Sequence, residues 1–224
     1  EIVSRDWSSD VCSSDLGLPF EGPGALAGAF NVVFEADLTH LVAHRPSVLY
    51  WMLQPGADMN GVGLGVLRMV KPWTEWMLIW GYDHRAGPPD LSDETIRDLA
   101  VRLVGRDDFE MRIISKAPWT INYRYATAIS HGRVFCAGDA IHRHPPTNGL
   151  GSNTSIQDSY NLGWKLAYVV KGLAGPALLD TYDAERAPVA KQIVDRANKS
   201  IPDTGRITEA LGLTDTSSGA VLDE

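Results

Sequence analysis

Apolar and polar positions follow two different patterns along this chain. Between Phe30 and Trp80 the apolar residues come in short β-branched and aromatic runs: Phe30–Leu38, Ser47–Leu53, Gly61–Val70 and Thr74–Trp80. Runs of this length and composition predict strands. Lys71-Pro72 marks a turn between the last two, and the four fit a mostly antiparallel meander. A breaker, Gly87 to Asp90, comes next. Ser92 is then placed to cap a helix, with acidic Asp93 and Glu94 in its first turn. Ile96, Leu99, Ala100 and Leu103 repeat at helical spacing, and Gly105 stops the run. Phe109–Ile114 and Ile121–Ile129 predict two further strands.

From His131 the pattern changes. Arg133–Ala137 is a continuous apolar run, suited to a short buried strand. A Gly- and Pro-rich loop covers Gly138 to Gly151. A helix is predicted from Ser152 or Asn153 to Val170, with Ile156, Tyr160, Trp164, Ala167 and Val170 at helical spacing. Gly172 and Gly175-Pro176 end it. Ala177–Lys199 predicts a second helix, bent at Pro188. Beyond Ile201 the pattern is weak. Together these elements predict an α/β chain.

Composition narrows the function classes. In 224 residues, 44% are hydrophobic and seven Trp, seven Tyr and five Phe are present, which excludes a disordered chain. No run approaches the roughly 18 apolar residues of a membrane span. A formal charge of -8 argues against nucleic acid or an anionic membrane as the main partner. Two Cys cannot build a disulfide framework, so a cytoplasmic protein is expected. Arg5 to Leu16 (RDWSSDVCSSDL) has no strand or helix period and resembles the translation of a sequencing adapter. Residues 1–16 are therefore set aside as a non-native segment. That leaves Cys136 as the one native thiol, expected to be inert packing. It also implies that the chain is a fragment of a longer gene product.

The residues that carry chemistry lie between Gly132 and Ala167. A predicted strand leads into Gly138-Asp139. Glycine lets a ligand approach the backbone closely, and the carboxylate offers an acceptor to a sugar or polyol hydroxyl. Pro145-Pro146 stiffen the loop. Gly149-Leu150-Gly151 lead into a helix start, whose unpaired N–H groups and dipole suit a phosphate or a ring gaining negative charge. His142 and His144 lack further ligands for a metal, which favours a loop-bracing hydrogen bond from His142. Trp73, Trp76 and Trp80 are read as core packing ahead of an aromatic cage. Gly61, Gly63 and Gly65 end at Val66 with no helical period, so they are read as strand or bulge rather than a phosphate loop. No Gly-x-Ser-x-Gly elbow is present.

The run from Gly132 to Ala167 resembles a flavin-binding signature of the FAD-dependent aromatic hydroxylases, the single-component flavoprotein monooxygenases. The matching residues are Gly138, Asp139, Ala140, His142, Pro145, Pro146, Gly149, Gly151, Asn153, Asp158, Asn161, Leu162, Trp164, Lys165 and Leu166. Leu178 to Ser200 is also similar to this family, and His142 to Leu162 is worded most like its phenol monooxygenase branch. The resemblance implies an α+β substrate sheet over residues 17–128 and the C-terminal part of an FAD-binding domain over residues 129–200. Residues 201–224 would lead into a further region. The family's strand, Gly-x-Gly-x-x-Gly, helix opening and its middle Asp-Gly signature are not found in the sequence. The N-terminal Rossmann βαβ is thus expected to be lacking, and the chain alone is expected to be inactive.

The resemblance also implies roles. Asp139 would bond the ribityl chain of FAD, and Pro146 would sit against the isoalloxazine near the carbon that binds oxygen. Gly138, Gly149, Leu150, Gly151, Ser152 and Asn153 would line the flavin, with His144 nearby. Arg124 would serve NADPH, or hold a plain surface role. The implied reaction is hydroxylation of a phenol, chlorophenols included, next to its hydroxyl through a flavin hydroperoxide, with NADPH and O2. The partners are then a small aromatic substrate and O2, with self-association left open. Two alternatives remain at this point: a flavin hydroxylase or epoxidase acting on polyketide-like aromatics, and a non-catalytic scaffold.

Overall fold

A computed structural model describes residues 16–52 and 65–210. The chain divides into two compact units, one built on residues 27–120 and the other on residues 121–204 with the stretch before Ala27. Two long strands, β1 (Phe20–Glu35) and β5 (Arg112–Ala126), run from one unit into the other.

The first unit is an antiparallel sheet with one packed helix. Besides parts of β1 and β5 it holds β2 (Leu49–Trp51), β3 (Val66–Lys71) and β4 (Glu75–Tyr82), in the order β2-β3-β4-β1-β5. A single turn, α1 (Thr39–Val42), and α2 (Asp93–Val104) complete it. Alternation decides the register. Phe30 lies opposite Trp80, Val32 opposite Leu78 and Phe34 opposite Trp76, and all six are buried. A one-residue slip would turn all of them to the other face, so burial and register enforce each other. Ile96, Leu99, Ala100 and Leu103 of α2 close the same core. Ser92 Oγ accepts from the Thr95 N–H, and Gly105 takes the left-handed conformation (φ 73°) that ends the helix.

The second unit holds β6 (Ser130–His131) and β7 (Val134–Phe135), which pair with each other, and β8 (His142–Arg143), which pairs with the end of β5. Two helices follow: α3 (Leu150–Val170) and α4 (Asp180–Ala210). Its apolar core gathers Leu18, Ala126, Ile129, Cys136, Ile141 and Tyr182.

The structure departs from the sequence pattern at several places. β1 begins ten residues before Phe30. The two strands expected over Phe109–Ile129 are one strand, β5, running through Pro118. On its outer side β8 pairs with Arg124 and Tyr125, so at Pro118 that edge has no strand partner among the described residues and the missing N–H is tolerated. The buried strand expected over Arg133–Ala137 is a two-residue strand with Val134 47% exposed, and only Cys136 is buried. α3 starts at Leu150 rather than Ser152. Its apolar period does not mark the core: Ile156, Tyr160, Trp164 and Val170 are exposed, while Thr154, Asp158 and Lys165 are buried. α4 passes both Pro188 and Pro202 and continues to Ala210.

Trp76 and Trp80 are core residues, and Trp73 packs beside them at φ 66°. The readings of Arg5–Asp15, Cys12, Leu53, Gly61, Gly63 and residues 211–224 fall outside the described residues. Among the described residues, no helix is long and apolar enough to cross a membrane.

Two stability changes follow. Ser92→Ala should cost about 1 kcal/mol in urea unfolding, the usual value of a lost helix cap; an unchanged midpoint would mean Asp90 and Thr95 hold the turn without it. Trp76→Ala, at a fully buried position, should cost about 3–5 kcal/mol. A cost below about 1 kcal/mol would show that the facing pairs are not the core of this unit.

Candidate functional site

The loop between β7 and α3 turns three times, and each turn has a local cause. Ala137 is extended. Gly138 then takes φ 63°, and the Gly138–Ala140 turn closes with Ile141 N–H donating to the Gly138 carbonyl at 2.8 Å. A Cβ at Gly138 would lie 2.9 Å from Ser155 Oγ, so glycine is required by both backbone angle and packing against α3. His142 and Arg143 return the chain along β5 as β8. Pro145-Pro146 follow, with Pro145 buried and Pro146 exposed. Asn148 (φ 64°) and Gly149 (φ 60°) are left-handed in succession, and they aim the chain into α3. Asn148 Nδ2 donates to Ser200 Oγ at 2.5 Å and Thr147 Oγ1 to the Ala197 carbonyl at 2.7 Å, which anchors this corner on α4.

Two features of the loop face outward. The Asp139 carboxylate is exposed and has no hydrogen-bond or ion-pair partner among the described residues; its carbonyl accepts from Arg143 Nε. The start of α3 carries no side-chain cap, because its N-cap is Gly149. A Cβ at Gly149 would meet nothing within 4 Å. The first-turn amides of Leu150, Gly151 and Ser152 therefore end the helix without a protein acceptor from the cap. Asn153 Nδ2 donates back to the Gly149 carbonyl at 3.0 Å. Gly138, Asp139, Pro146 and Gly149 to Asn153 thus share one loop and one helix start.

Beneath this loop lies a buried polar cluster. Asp158, eight residues into α3, is 1% exposed. Its Oδ2 accepts from the Gly138 N–H at 3.2 Å and faces His142 Nε2 at 3.0 Å; its Oδ1 accepts from Arg186 Nε at 2.7 Å. Burial pushes the Asp158 carboxyl up, but the donors from His142, Arg186 and Gly138 outweigh it, and it stays below the usual carboxylate range. The loop-bracing bond expected of His142 is therefore present, with Asp158 as its partner. One helical turn further on, Asn161 Nδ2 donates to Glu185 Oε2 at 2.7 Å, and Lys165 Nζ lies 2.9 Å from the same oxygen. Asp158, Asn161 and Lys165 are thus one stripe of α3 that faces Glu185 and Arg186 of α4. These pairings were not foreseen from spacing. The available signal was three polar residues at i, i+3 and i+7 opposite an adjacent Glu-Arg pair.

His144 is half-buried; burial lowers its imidazole below the ordinary value against a bond to the Pro145 carbonyl. Its ring stacks on His142 with centroids 5.8 Å apart. Among the described residues, no group of three or more His, Cys, Asp or Glu is arranged to hold a metal. Arg124 sits opposite Arg143 in the β5–β8 pair. Both guanidinium groups lie over the Phe20 ring, at 5.2 Å and 5.9 Å. Arg124 has no carboxylate at ion-pair distance among the described residues, so its anchor here is the aromatic face.

A family model described as the FAD binding domain matches residues 7–197. The chain is 56% identical over 212 residues to a 2,4-dichlorophenol 6-monooxygenase of Cupriavidus pinatubonensis, covering 95% of this chain and 36% of that protein. It is 50% identical over 216 residues to a phenol 2-monooxygenase of Pseudomonas sp. (strain EST1001), covering 96% of this chain and 33% of the relative. Among solved structures, the flavin-dependent monooxygenase PieE in complex with FAD and substrate superimposes with a TM-score of 0.83 at 40% identity, over 95% of this chain and 37% of that one. The chain thus spans about a third of the length of the relatives it matches. With this match over most of its length, the chain belongs to the FAD binding domain family.

Proposed function

We propose that this chain supplies part of a flavin-dependent phenol monooxygenase that hydroxylates a phenol, chlorophenols included, next to its hydroxyl. The observation that carries the reading is the 56% identity to a 2,4-dichlorophenol 6-monooxygenase across nearly the whole chain. Residues 129–200 are assigned to FAD and the sheet over residues 17–128 to the aromatic substrate. NADPH consumption and a small diffusible phenol fit a cytoplasmic setting.

The residues present fit the flavin on physical grounds. The α3 start is uncapped, and the space at Gly149 is open. The edge of a planar ring that gains negative charge on reduction can therefore rest on the amides of Leu150, Gly151 and Ser152, with Asn153 beside them, where the helix dipole favours it. Asp139 keeps its carboxylate outward and without a partner among the described residues, ready to accept from the hydroxyls of the ribityl chain. Gly138 holds the turn that presents it. Pro146 offers a rigid, apolar surface without an N–H, which excludes water from the ring face it covers. Bound FAD supplies the redox chemistry: two electrons from NADPH and one molecule of O2 put one oxygen atom on the phenol and release the other as water. Arg124 offers a fixed positive charge to an NADPH phosphate.

A hybrid enzyme tests the reading. Gly17–Ser200 of this chain would replace the matching residues of the Cupriavidus enzyme. The hybrid is expected to purify with FAD and to oxidise NADPH faster with 2,4-dichlorophenol, giving the catechol. A hybrid that holds FAD but responds to no phenol, or only to large polycyclic aromatics, would overturn the substrate assignment. In the same hybrid, Asp139→Ala should weaken FAD binding about 10- to 100-fold, the size of a lost hydrogen bond to a charged group. Unchanged affinity would remove Asp139 from the site.

A further inference from the structure

A carboxylate with no contact to the outward face of the loop is nevertheless the point where both halves of that loop meet. The Gly138–Asp139 turn is held from within through the Gly138 N–H, and the acceptor belongs to α3, the helix whose first turn forms the other half. Gly138 also packs against Ser155 of the same helix. His142 and Arg186 are the other partners of Asp158, and His142 is itself buried at 1% exposure. We propose that Asp158 is a positioning residue of the flavin site: it locks the Gly138–Asp139 turn to the start of α3, so that the two halves move as one body. This inference rests on the flavin reading above.

The donor arrangement says which substitution isolates the effect. In Asp158→Asn one oxygen becomes an NH2 group. The charge opposite Arg186 is lost in either placement, but with the NH2 toward Arg186, donor would also face donor, a costly outcome. Placed the other way, it keeps the Arg186 bond. His142 can then accept through Nε2 by carrying its proton on Nδ1, an atom with no partner among the described residues. The group left without an acceptor is the Gly138 N–H. Asp158→Asn is therefore expected to release the Gly138–Asp139 turn while the α3–α4 contact persists. A purely structural role would lower stability without touching that turn.

The test uses this whole chain with FAD as the probe, read by flavin fluorescence, and amide exchange of the chain labelled with [15N]glycine and [15N]leucine. The control is Asp195→Asn, which removes the charge that holds Lys191 of α4 and accepts from Tyr123 of β5. Asp158→Asn should weaken FAD binding about 10- to 100-fold and deprotect the Gly138 amide. Asp195→Asn should lower the melting temperature and keep FAD affinity. If Asp158→Asn loses stability alone, with FAD affinity and Gly138 exchange unchanged, the proposal is overturned. If the unaltered chain takes up no FAD, affinity is compared in the hybrid enzyme, whose own failure to hold FAD is what overturns the flavin reading. Asp158 is then judged by exchange: deprotection of Gly138 in Asp158→Asn and not in Asp195→Asn supports the lock, and unchanged Gly138 exchange overturns it. If Asp158→Asn does not fold, the unaltered chain decides. Exchange of Gly138 together with the amides of α3 supports the lock, and exchange at the rate of an open loop overturns it.

Discussion

A charged carboxylate shielded from water must be surrounded by donors, and Asp158 meets that demand from three separate parts of the chain. The Gly138 amide, the His142 ring and the Arg186 guanidinium all converge on it. Leaving any of these sites empty would cost far more than an ordinary surface contact contributes. The need to satisfy one side chain thus fixes the Gly–Asp turn, the end of β8 and the lateral contact of α3 with α4. The outward features, Asp139 and the open first turn of α3, take their places because the inner face of the same loop is already committed. A flexible loop could carry the same residues, but it would lose more entropy when it orders around a ligand.

The two units are held by different means. In the sheet unit, facing apolar pairs such as Phe30 with Trp80 and Phe34 with Trp76 set the register and the core together. In the other unit, the stripe Asp158, Asn161 and Lys165 meets Glu185 and Arg186, so hydrogen-bond geometry specifies the helix contact. Glu185 illustrates the economy of the arrangement: the Asn161 amide and the Lys165 ammonium beside it both hold its carboxyl below the usual range. Apolar packing tolerates small changes of shape. A polar stripe tolerates few, because each exchanged group leaves its opposite number unsatisfied.

How much was legible in the sequence depended on how local each signal was. The α2 helix follows the pattern closely, because Ser92, the four apolar positions and Gly105 all act within the helix itself. The start of β1 was hidden. Gly22, Pro23, Gly24 and Gly28 weaken a strand pattern, yet Gly22 is where the strand meets another backbone: a Cβ there would lie 2.2 Å from the Tyr123 carbonyl oxygen. Pro118 lies between the two strands expected where β5 is one, and sequence does not say which edge of a strand will have a neighbour. The candidate site was legible as a run of residues, from Gly138 to Asn153. What organises it was not, because the pairing of Asp158 with Arg186 spans 28 positions and two helices. The period of α3 was visible and its sense was reversed, since apolar spacing shows that a face exists and not which way it turns.

That reversed helix has a consequence of its own. Ile156, Tyr160, Trp164 and Tyr168 stand one above another at four-residue intervals, all exposed, with Trp164 and Tyr168 in edge-to-face contact. Attraction between such surfaces weakens on cooling and strengthens with excluded salts such as sulfate. Any self-association through this face is therefore expected to be weakest in the cold at low salt and strongest in the salts commonly added to stabilise a fold.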